Sequence, residues 1–324
     1  MIVCTVTSAA NLIKAQIMAR SVKEHHPDAK VVVCLVEERL HSAAICPFID
    51  EIVLARQTGV PDFYRRMFKY NVNEGTTSMK PDLLRYAMKR YADERDFVYL
   101  DSDMKVYAPL TDLLNALRRH SLVLTPHLVS TQLNDTVYLQ VGIYNTGIVA
   151  MTRSEETVRF LGWWAQRLYR YSYYDDLFFA DQKWLDLAPG FFDVHVFGHP
   201  GYNMAYWNLH ETARSLRRLP DGRYVLAGGP LAVFHFSHAE TDLQQYMAAF
   251  FPDRGSAIYS LVDSYLEEFT RAGGRVLSMT PWSYDFFSSG EPILTQVRKK
   301  YAIDPELAGL YPNPFTASNA ALNP

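Results

Sequence analysis

Four short apolar runs separated by helical stretches dominate the first hundred residues, and they restrict the fold more than any other feature of the chain. Ile2–Thr7, residues 31–36, Glu51–Leu54 and residues 97–100 are β-branched or aromatic and of strand length. Between them, Leu12–His25 carries a helical apolar period, and residues 37–44 predict a short helix. Residues 81–95 place Leu84, Ala87, Met88 and Tyr91 on one helical face, with Pro81 suited to the first turn. Strands alternating with helices predict an α/β fold with a mainly parallel central sheet and helices on both faces. Such a half-domain suits a nucleotide. The first turn reads Thr7-Ser8-Ala9-Ala10-Asn11 and lacks the Gly-rich dinucleotide fingerprint, which removes the main support for hydride transfer.

The fourth strand ends in Tyr99-Leu100-Asp101-Ser102-Asp103. In extended chain, residues i and i+2 point to the same side, so Asp101 and Asp103 can present both carboxylates to one point. Paired acids after a strand also occur as solvated turns or helix caps. Here they stand at the carboxyl end of a strand in a helix-then-strand unit, the edge where ligands bind in open α/β sheets. Two carboxylates this close repel, and the hard cations Mg²⁺ and Mn²⁺ prefer such oxygens while bridging to substrate phosphates.

Further along, residues 144–150 predict a strand, and Ser154 with Glu155 and Glu156 caps a long helix reaching about Tyr171. An aromatic-rich stretch follows, with Tyr173, Tyr174, Phe178, Phe179, Trp184, Phe191, Phe192, Tyr202, Tyr206 and Trp207. Most are expected in the core, and a minority to face sugar rings. Gly228-Gly229-Pro230 then turns into a strand over 231–236 that delivers His235. Helical periodicity runs from about Tyr246 through Ser256 to Phe269 and returns over 286–301, the latter ending on Arg298-Lys299-Lys300, a basic cluster read as a helix C-terminal complement rather than a membrane patch.

Composition narrows the class. At 324 residues and 48% hydrophobic content the chain can bury a large core. A net charge of −3 argues against tracking nucleic-acid phosphates. No apolar run approaches the roughly 20 residues of a spanning helix, and no signal peptide is read at the start. Cys4, Cys34 and Cys46 show no metal-ligand spacing and are expected as buried thiols in a reducing compartment. The expected location is cytoplasmic, with peripheral membrane attachment as the alternative.

The run FVYLDSDMKV over 97–106 resembles the Asp-x-Asp region of GT-A fold nucleotide-sugar glycosyltransferases, especially retaining family 8 and related bacterial enzymes. Glu74 to Pro81, Leu124-Thr125-Pro126-His127, Tyr144-Asn145-Thr146-Gly147, Asp181-Gln182-Lys183-Trp184, Gly201 to Asn208 and His235-Phe236-Ser237 agree in order. The resemblance implies a GT-A, Rossmann-like glycosyltransferase domain over 1–245. Its nucleotide-binding half is 1–106, its acceptor and metal-completing half 107–245, and a C-terminal helical extension covers 246–324. It implies Mn²⁺ or Mg²⁺ held by Asp101, Asp103 and His235, although His235 taken alone reads as an ordinary half-buried histidine. The motif around it is partial. His238 stands where the family has Gly, and no Lys-Pro-Trp follows in Ala239-Glu240-Thr241.

Donor contacts are implied at Thr5, Thr7, Asn11, Lys80, Arg85, Ser102, Asn145 and His238. Thr5, Thr7 and Asn11 read equally as strand-end and capping residues, and one of Lys80 and Arg85 is expected to be plain helix-surface charge. Asp181 is implied to hold donor hydroxyls and Gln182 to face the β-side of the sugar. Asp181 as a helix cap is the alternative. Acceptor contacts are implied at His127, His199, Tyr202, Asn203 and Trp207, with His127 and His199 as the candidate general bases if the outcome is inversion. The expected reaction transfers a sugar from a nucleoside-diphosphate donor, UDP-linked first among the choices, to a saccharide, glycolipid or other hydroxyl acceptor with retention. A homo-oligomer is left open, and the tail either caps the acceptor site or serves an interface. Two competitors stand beside this reading. A sugar-1-phosphate nucleotidyltransferase would want a Gly- and basic-rich first loop, where only Lys14 is found. A catalytically silent carbohydrate-binding protein would not need the acid pair.

Overall fold

The computed structural model describes residues 1–131, 136–172 and 181–323. Tyr173, Tyr174, Phe178 and Phe179 lie outside the described residues. Eight strands come first in the chain: β1 (Ile2–Thr7), β2 (Lys30–Leu35), β3 (Glu51–Leu54), β4 (Asp96–Leu100), β5 (Met104–Val106), β6 (Leu122–Pro126), β7 (Tyr144–Thr152) and β8 (His195–Val196). Among the described residues, all but β5 join a seven-stranded sheet in the order β3-β2-β1-β4-β7-β6-β8. The pairs β1/β2, β1/β4, β2/β3 and β6/β8 are parallel, and β7 runs antiparallel between β4 and β6. The fold is α/β with a mostly parallel central sheet.

Helices α1 (Leu12–His25), α2 (Phe63–Phe68), α3 (Val72–Ser78), α4 (Lys80–Arg90), α5 (Thr111–Leu117), α6 (Thr136–Val141) and α7 (Glu155–Arg170) interleave with these strands. The two-residue period of β1 sorts its side chains between two cores. Ile2, Cys4 and Val6 face Leu83, Leu84 and Ala87 of α4 and Phe160 and Trp164 of α7. Val3 faces Met18, Ala19 and Val22 of α1 and Leu113 and Ala116 of α5. Local chemistry starts the helices: the Ser154 hydroxyl accepts the Thr157 amide at 3.1 Å on α7, as expected, and Asn71 and Glu74 form a reciprocal cap on α3 that was not anticipated.

Four expected elements differ. Residues 37–44 form no α-helix; only Ser42–Ala44 turns, as a single 3₁₀ turn, because the acids that would open the helix are drawn elsewhere. The Glu37 carboxylate accepts the amides of Ala9 (2.9 Å) and Ser283 (2.9 Å), while the Glu38 amide donates to the Ser283 hydroxyl (2.9 Å). The helix read over 81–95 ends at Arg90, and β4 begins at Asp96. The strand around His235 is short, Val233–His235 (β12), after the small strands β9 (Arg217–Arg218), β10 (Tyr224–Leu226) and β11 (Gly229–Pro230). In the tail, α8 (Asp242–Phe250), α9 (Ala257–Arg271), α10 (Gly274–Leu277), α11 (Thr295–Ile303), α12 (Pro305–Leu310) and α13 (Asn319–Leu322) follow, so only the end of 286–301 is helical.

The tail is part of the main core. Trp282, Tyr284, Phe287, Tyr301 and Phe315 share one apolar cluster with Ile2 and Cys4 of β1. The Trp282 indole N–H donates to the Val36 carbonyl at 2.7 Å, and its ring lies so close to Gly75 that a Cβ there would meet it at 2.7 Å. Arg298 is buried rather than part of a surface patch, and its guanidinium donates to the carbonyls of Phe68 (3.0 Å) and Tyr70 (2.9 Å) at the end of α2. No helix among the described residues is long and apolar enough to cross a membrane. Trp282→Ala is expected to destabilise the whole protein by about 3 to 5 kcal/mol in one cooperative urea transition, as for a large core aromatic. A separate early transition of the tail would contradict this packing.

Candidate functional site

The site is assembled where β4 ends. Asp101 follows that strand directly, and a turn closed by the Met104 amide donating to the Asp101 carbonyl (3.1 Å) carries the chain through Asp103 into β5. β5 pairs antiparallel with β12, with His235 opposite Met104, and the Phe236 amide donates to the Asp103 carbonyl at 2.9 Å. This pairing brings His235 to the acids: its Nε2 lies 3.0 Å from an Asp103 oxygen and 3.9 Å from Asp101. One ligand atom from each of the three residues falls within 4.8 Å of the others. Two carboxylates and an imidazole on a common centre can hold a divalent metal ion. Gly147 leaves room for the imidazole, since a Cβ at that position would approach the His235 ring to 2.9 Å.

A second cluster adjoins the first. Lys80, at the start of α4 and buried, places its Nζ 3.0 Å from Asp101 and 2.9 Å from Asp181, and donates to the Thr146 hydroxyl at 3.1 Å. That hydroxyl in turn donates to Asp181 at 2.6 Å, and the Tyr99 hydroxyl donates to Asp101 at 2.9 Å. Burial opposes charge on Lys80, but the Asp101 and Asp181 carboxylates outweigh it and hold the ammonium above its ordinary range. Burial also raises Asp101, against the pull of Lys80 and His235. Burial works the same way on Asp103. There the charge and hydrogen bond of His235, with the charge of Lys14 added, outweigh it and hold that carboxyl well below the usual range. The pair is therefore asymmetric, and Asp103 is the firmer anion.

Gln182 and its neighbours form the next wall. The Asn145 amide donates to the Gln182 side-chain oxygen at 3.3 Å, and the Gln182 amide donates to the Val141 carbonyl at 2.7 Å. The Trp164 indole N–H fixes the Asp181 carbonyl at 3.2 Å, which ties this segment to the core of α7. His127 lies 3.4 Å from the Asn145 amide, and Trp207 stands edge-on to both His127 (5.6 Å) and His235 (5.3 Å). Asn203, fully buried at φ +52°, sets its side-chain oxygen 3.3 Å from His235 Nδ1.

The structure thus gathers Lys80, Asp101, Asp103, Asn145, Asp181, Gln182, His127, Asn203, Trp207 and His235 around one edge of the sheet. Among the other expected residues, Arg85, His199 and Tyr202 make their contacts outside this cluster. Arg85 is half-exposed on α4 and its ion pair is with Asp82, at 3.7 Å. His199 and Tyr202 make their contacts with Phe197, Asp112 and Leu113, and bond to none of the acids of the site. Thr5 is buried with no partner for its hydroxyl among the described residues, the Thr7 hydroxyl donates to the Ser8 carbonyl at 3.2 Å, and Asn11 is the last residue of the first 3₁₀ turn, directly before α1. Ser102 occupies the turn between the acids. His238 is exposed and has φ +50°, the left-handed backbone that favours glycine, with its ring 3.4 Å from Asp242. Sequence reasoning missed Tyr99, Thr146 and Trp164. Tyr99 was within reach, since it shares the strand face of Asp101.

These features define an α/β protein with a carboxylate–histidine centre and a buried lysine bridge at the carboxyl edge of its sheet. No protein-family model matches the chain, and no curated protein does. Among solved structures it is similar to the galactosyltransferase LgtC in complex with donor and acceptor sugar analogues, at 20% identity and a TM-score of 0.48, covering 72% of this chain and 86% of that one. It is also similar to a glycosyltransferase involved in the glycosylation of the major capsid of PBCV-1, at 10% identity and a TM-score of 0.42, covering 76% of this chain and 100% of the other. Mouse xyloside xylosyltransferase 1 is 13% identical with a TM-score of 0.42, covering 72% of this chain and 96% of its own.

His127 supplies a test of the site's burial. Desolvation lowers its pKa from 6.5 to about 4, so the ring is neutral in the folded protein where the unfolded chain would bind a proton. The unfolded state then holds more protons between these values, and stability falls as pH drops from 6.5 toward 4. The contribution is at most about 1.4 kcal/mol per pH unit. Urea unfolding across this window is expected to show a shallower pH slope for His127→Gln than for the parent. Equal slopes would mean that the ring is open to water.

Proposed function

We propose that the chain is a metal-dependent glycosyltransferase that moves a sugar from a UDP-sugar to an acceptor hydroxyl with retention. One observation carries the reading. A metal-competent Asp101–Asp103–His235 centre shares Asp101, through Lys80, with Asp181 and hence with the Gln182 wall. Residues 1–245 are taken as the transferase unit and 246–324 as its helical extension. Asp101, Asp103 and His235 would hold Mn²⁺ or Mg²⁺, which supplies positive charge for the diphosphate leaving group.

The protein's own residues account for the remaining roles. Lys80 keeps Asp101 and Asp181 at fixed separation and stays charged at the bottom of the site. Asp181, with one oxygen engaged by Thr146 and Lys80, is placed to hold donor hydroxyls with the other. Gln182 is held from both ends of its amide, so its oxygen can face positive charge developing at the anomeric carbon without rearranging. A neutral His127 does not add a competing charge. The nucleotidyltransferase alternative is disfavoured at the first strand's turn, where the Glu37 carboxylate already occupies the Ala9 amide that a phosphate-cradling loop would need free.

Calorimetric titration with UDP is expected to show binding that requires Mn²⁺ or Mg²⁺, and Asp103→Ala is expected to abolish both this binding and sugar transfer while leaving the fold intact. Full transfer in excess EDTA, or pyrophosphate release from UTP plus a sugar phosphate, would overturn the reading. Gln182→Ala is expected to lower kcat about 10- to 1000-fold with little change in donor affinity, because the lost interaction is strongest in the transition state. Wild-type turnover in that variant, or an inverted product, would remove Gln182 from the mechanism.

A further inference from the structure

We propose that Lys14, on the first turn of α1, is a second cation for the donor's diphosphate, on the Asp103 side of the site as Lys80 is on the Asp101 side. The inference rests on the glycosyltransferase reading and adds a residue to it.

The packing of α1 along β5 puts Lys14 there. The Val106 amide donates to the Ser21 hydroxyl at 2.9 Å, which fixes the register of helix against strand. Lys14 lies two helical turns before Ser21, roughly 10 Å along the axis. Asp103 lies roughly 10 Å back along the chain from Val106. Both displacements lead to the same edge of the sheet, because β1 and β4 are parallel and α1 begins where β1 ends. Side-chain contacts agree. The Lys14 ammonium is 5.9 Å from the Phe269 ring, and Phe269 shares an apolar cluster with Phe236, whose amide bonds to the Asp103 carbonyl.

Lys14 carries its charge without an ion-pair partner among the described residues, and it is half-buried. On the same helical face as Phe269, one turn earlier in α9, the Tyr265 hydroxyl is buried without a hydrogen-bond partner among the described residues. The charges of the site call for such a group. Asp101, Asp103 and Asp181 balance Lys80 plus one divalent ion, which leaves the diphosphate itself unmatched. The segment after His235, through Asp242, contains Glu240 and Asp242 and neither Lys nor Arg, so the chain on that side offers no fixed cation. A lysine suits the task as a compact point charge for phosphate oxygens.

The test compares the full-length protein with Lys14→Met, Lys14→Gln and Lys14→Arg by titration with UDP, UMP and uridine in the presence of Mn²⁺, together with Mn²⁺ alone by electron paramagnetic resonance. Lys14→Met and Lys14→Gln are expected to weaken UDP at least tenfold, UMP less, and uridine not at all. Their UDP affinity should also depend less steeply on salt, and Mn²⁺ alone should bind no more weakly, since a cation on the Asp103 side of the site has been removed. Lys14→Arg should retain most of the UDP affinity. UDP affinity within twofold of wild type in both neutral variants, or an equal loss for uridine and UDP, would overturn the proposal. If the unmodified protein binds no UDP, the UDP-sugar reading fails instead, and inorganic pyrophosphate with Mn²⁺ then decides Lys14: equal binding by parent and Lys14→Met overturns it, and a tenfold loss supports it.

Discussion

The antiparallel pairing of β5 with β12 is the contact on which the site depends. It joins the segment just after the acid pair to a strand more than a hundred residues later, and it sets His235 opposite Met104 so that the imidazole reaches Asp103. Val233, Phe234 and His235 are all buried, so the pairing is held by the apolar clusters on either side as well as by its hydrogen bonds. A slip of one residue would turn His235 to the opposite face and put Phe234 toward the carboxylates. Gly147 leaves room for the imidazole, and Asn203 fixes it by a polar contact at Nδ1. Fixing the outer nitrogen of a histidine is the usual way a protein aims the other nitrogen at a metal.

Charge in the site is arranged in linked steps. Lys80 is buried between Asp101 and Asp181, and a buried ammonium is tolerable only with such partners. The lysine thereby makes the placement of Asp181 depend on that of Asp101, although the two acids come from distant parts of the chain. Thr146 closes the ring with a hydrogen bond to each of Lys80 and Asp181, and β7 carries Thr146 into place beside β4. The antiparallel insertion of β7 in an otherwise mostly parallel sheet therefore has a direct consequence for the site.

The C-terminal segment supports the same edge from behind. Glu37 is saturated by the amides of Ala9 and Ser283 and by the Ser283 hydroxyl, so the turn after β1 and the tail are held by one carboxylate. Trp282 and Arg298 add hydrogen bonds to the carbonyls of Val36, Phe68 and Tyr70. Lys105 next to the site and Arg20 on α1 both pair with Glu268 of α9, which ties the later helices to β5 and α1 together.

The sequence by itself determined the early strands, the bounds of α1 and the position of Asp101 and Asp103 at a strand end. These follow from local rules: apolar period, strand length, and the alternation that puts i and i+2 on one side. It also pointed to His235, through the order of motifs along the chain rather than through any property of that residue. The tertiary structure decided the rest. That Lys80 and not Arg85 enters the acid cluster depends on which side of α4 faces β4 and β7, and both residues are plain helix positions in sequence. That residues 37–44 form no helix depends on Glu37 and Glu38 finding partners in Ser283 and Tyr284, contacts that no local window contains. Whether a charged side chain is exposed or joined to a site is settled by long-range packing, because burying a charge costs more than local propensity can supply unless a distant partner offsets it.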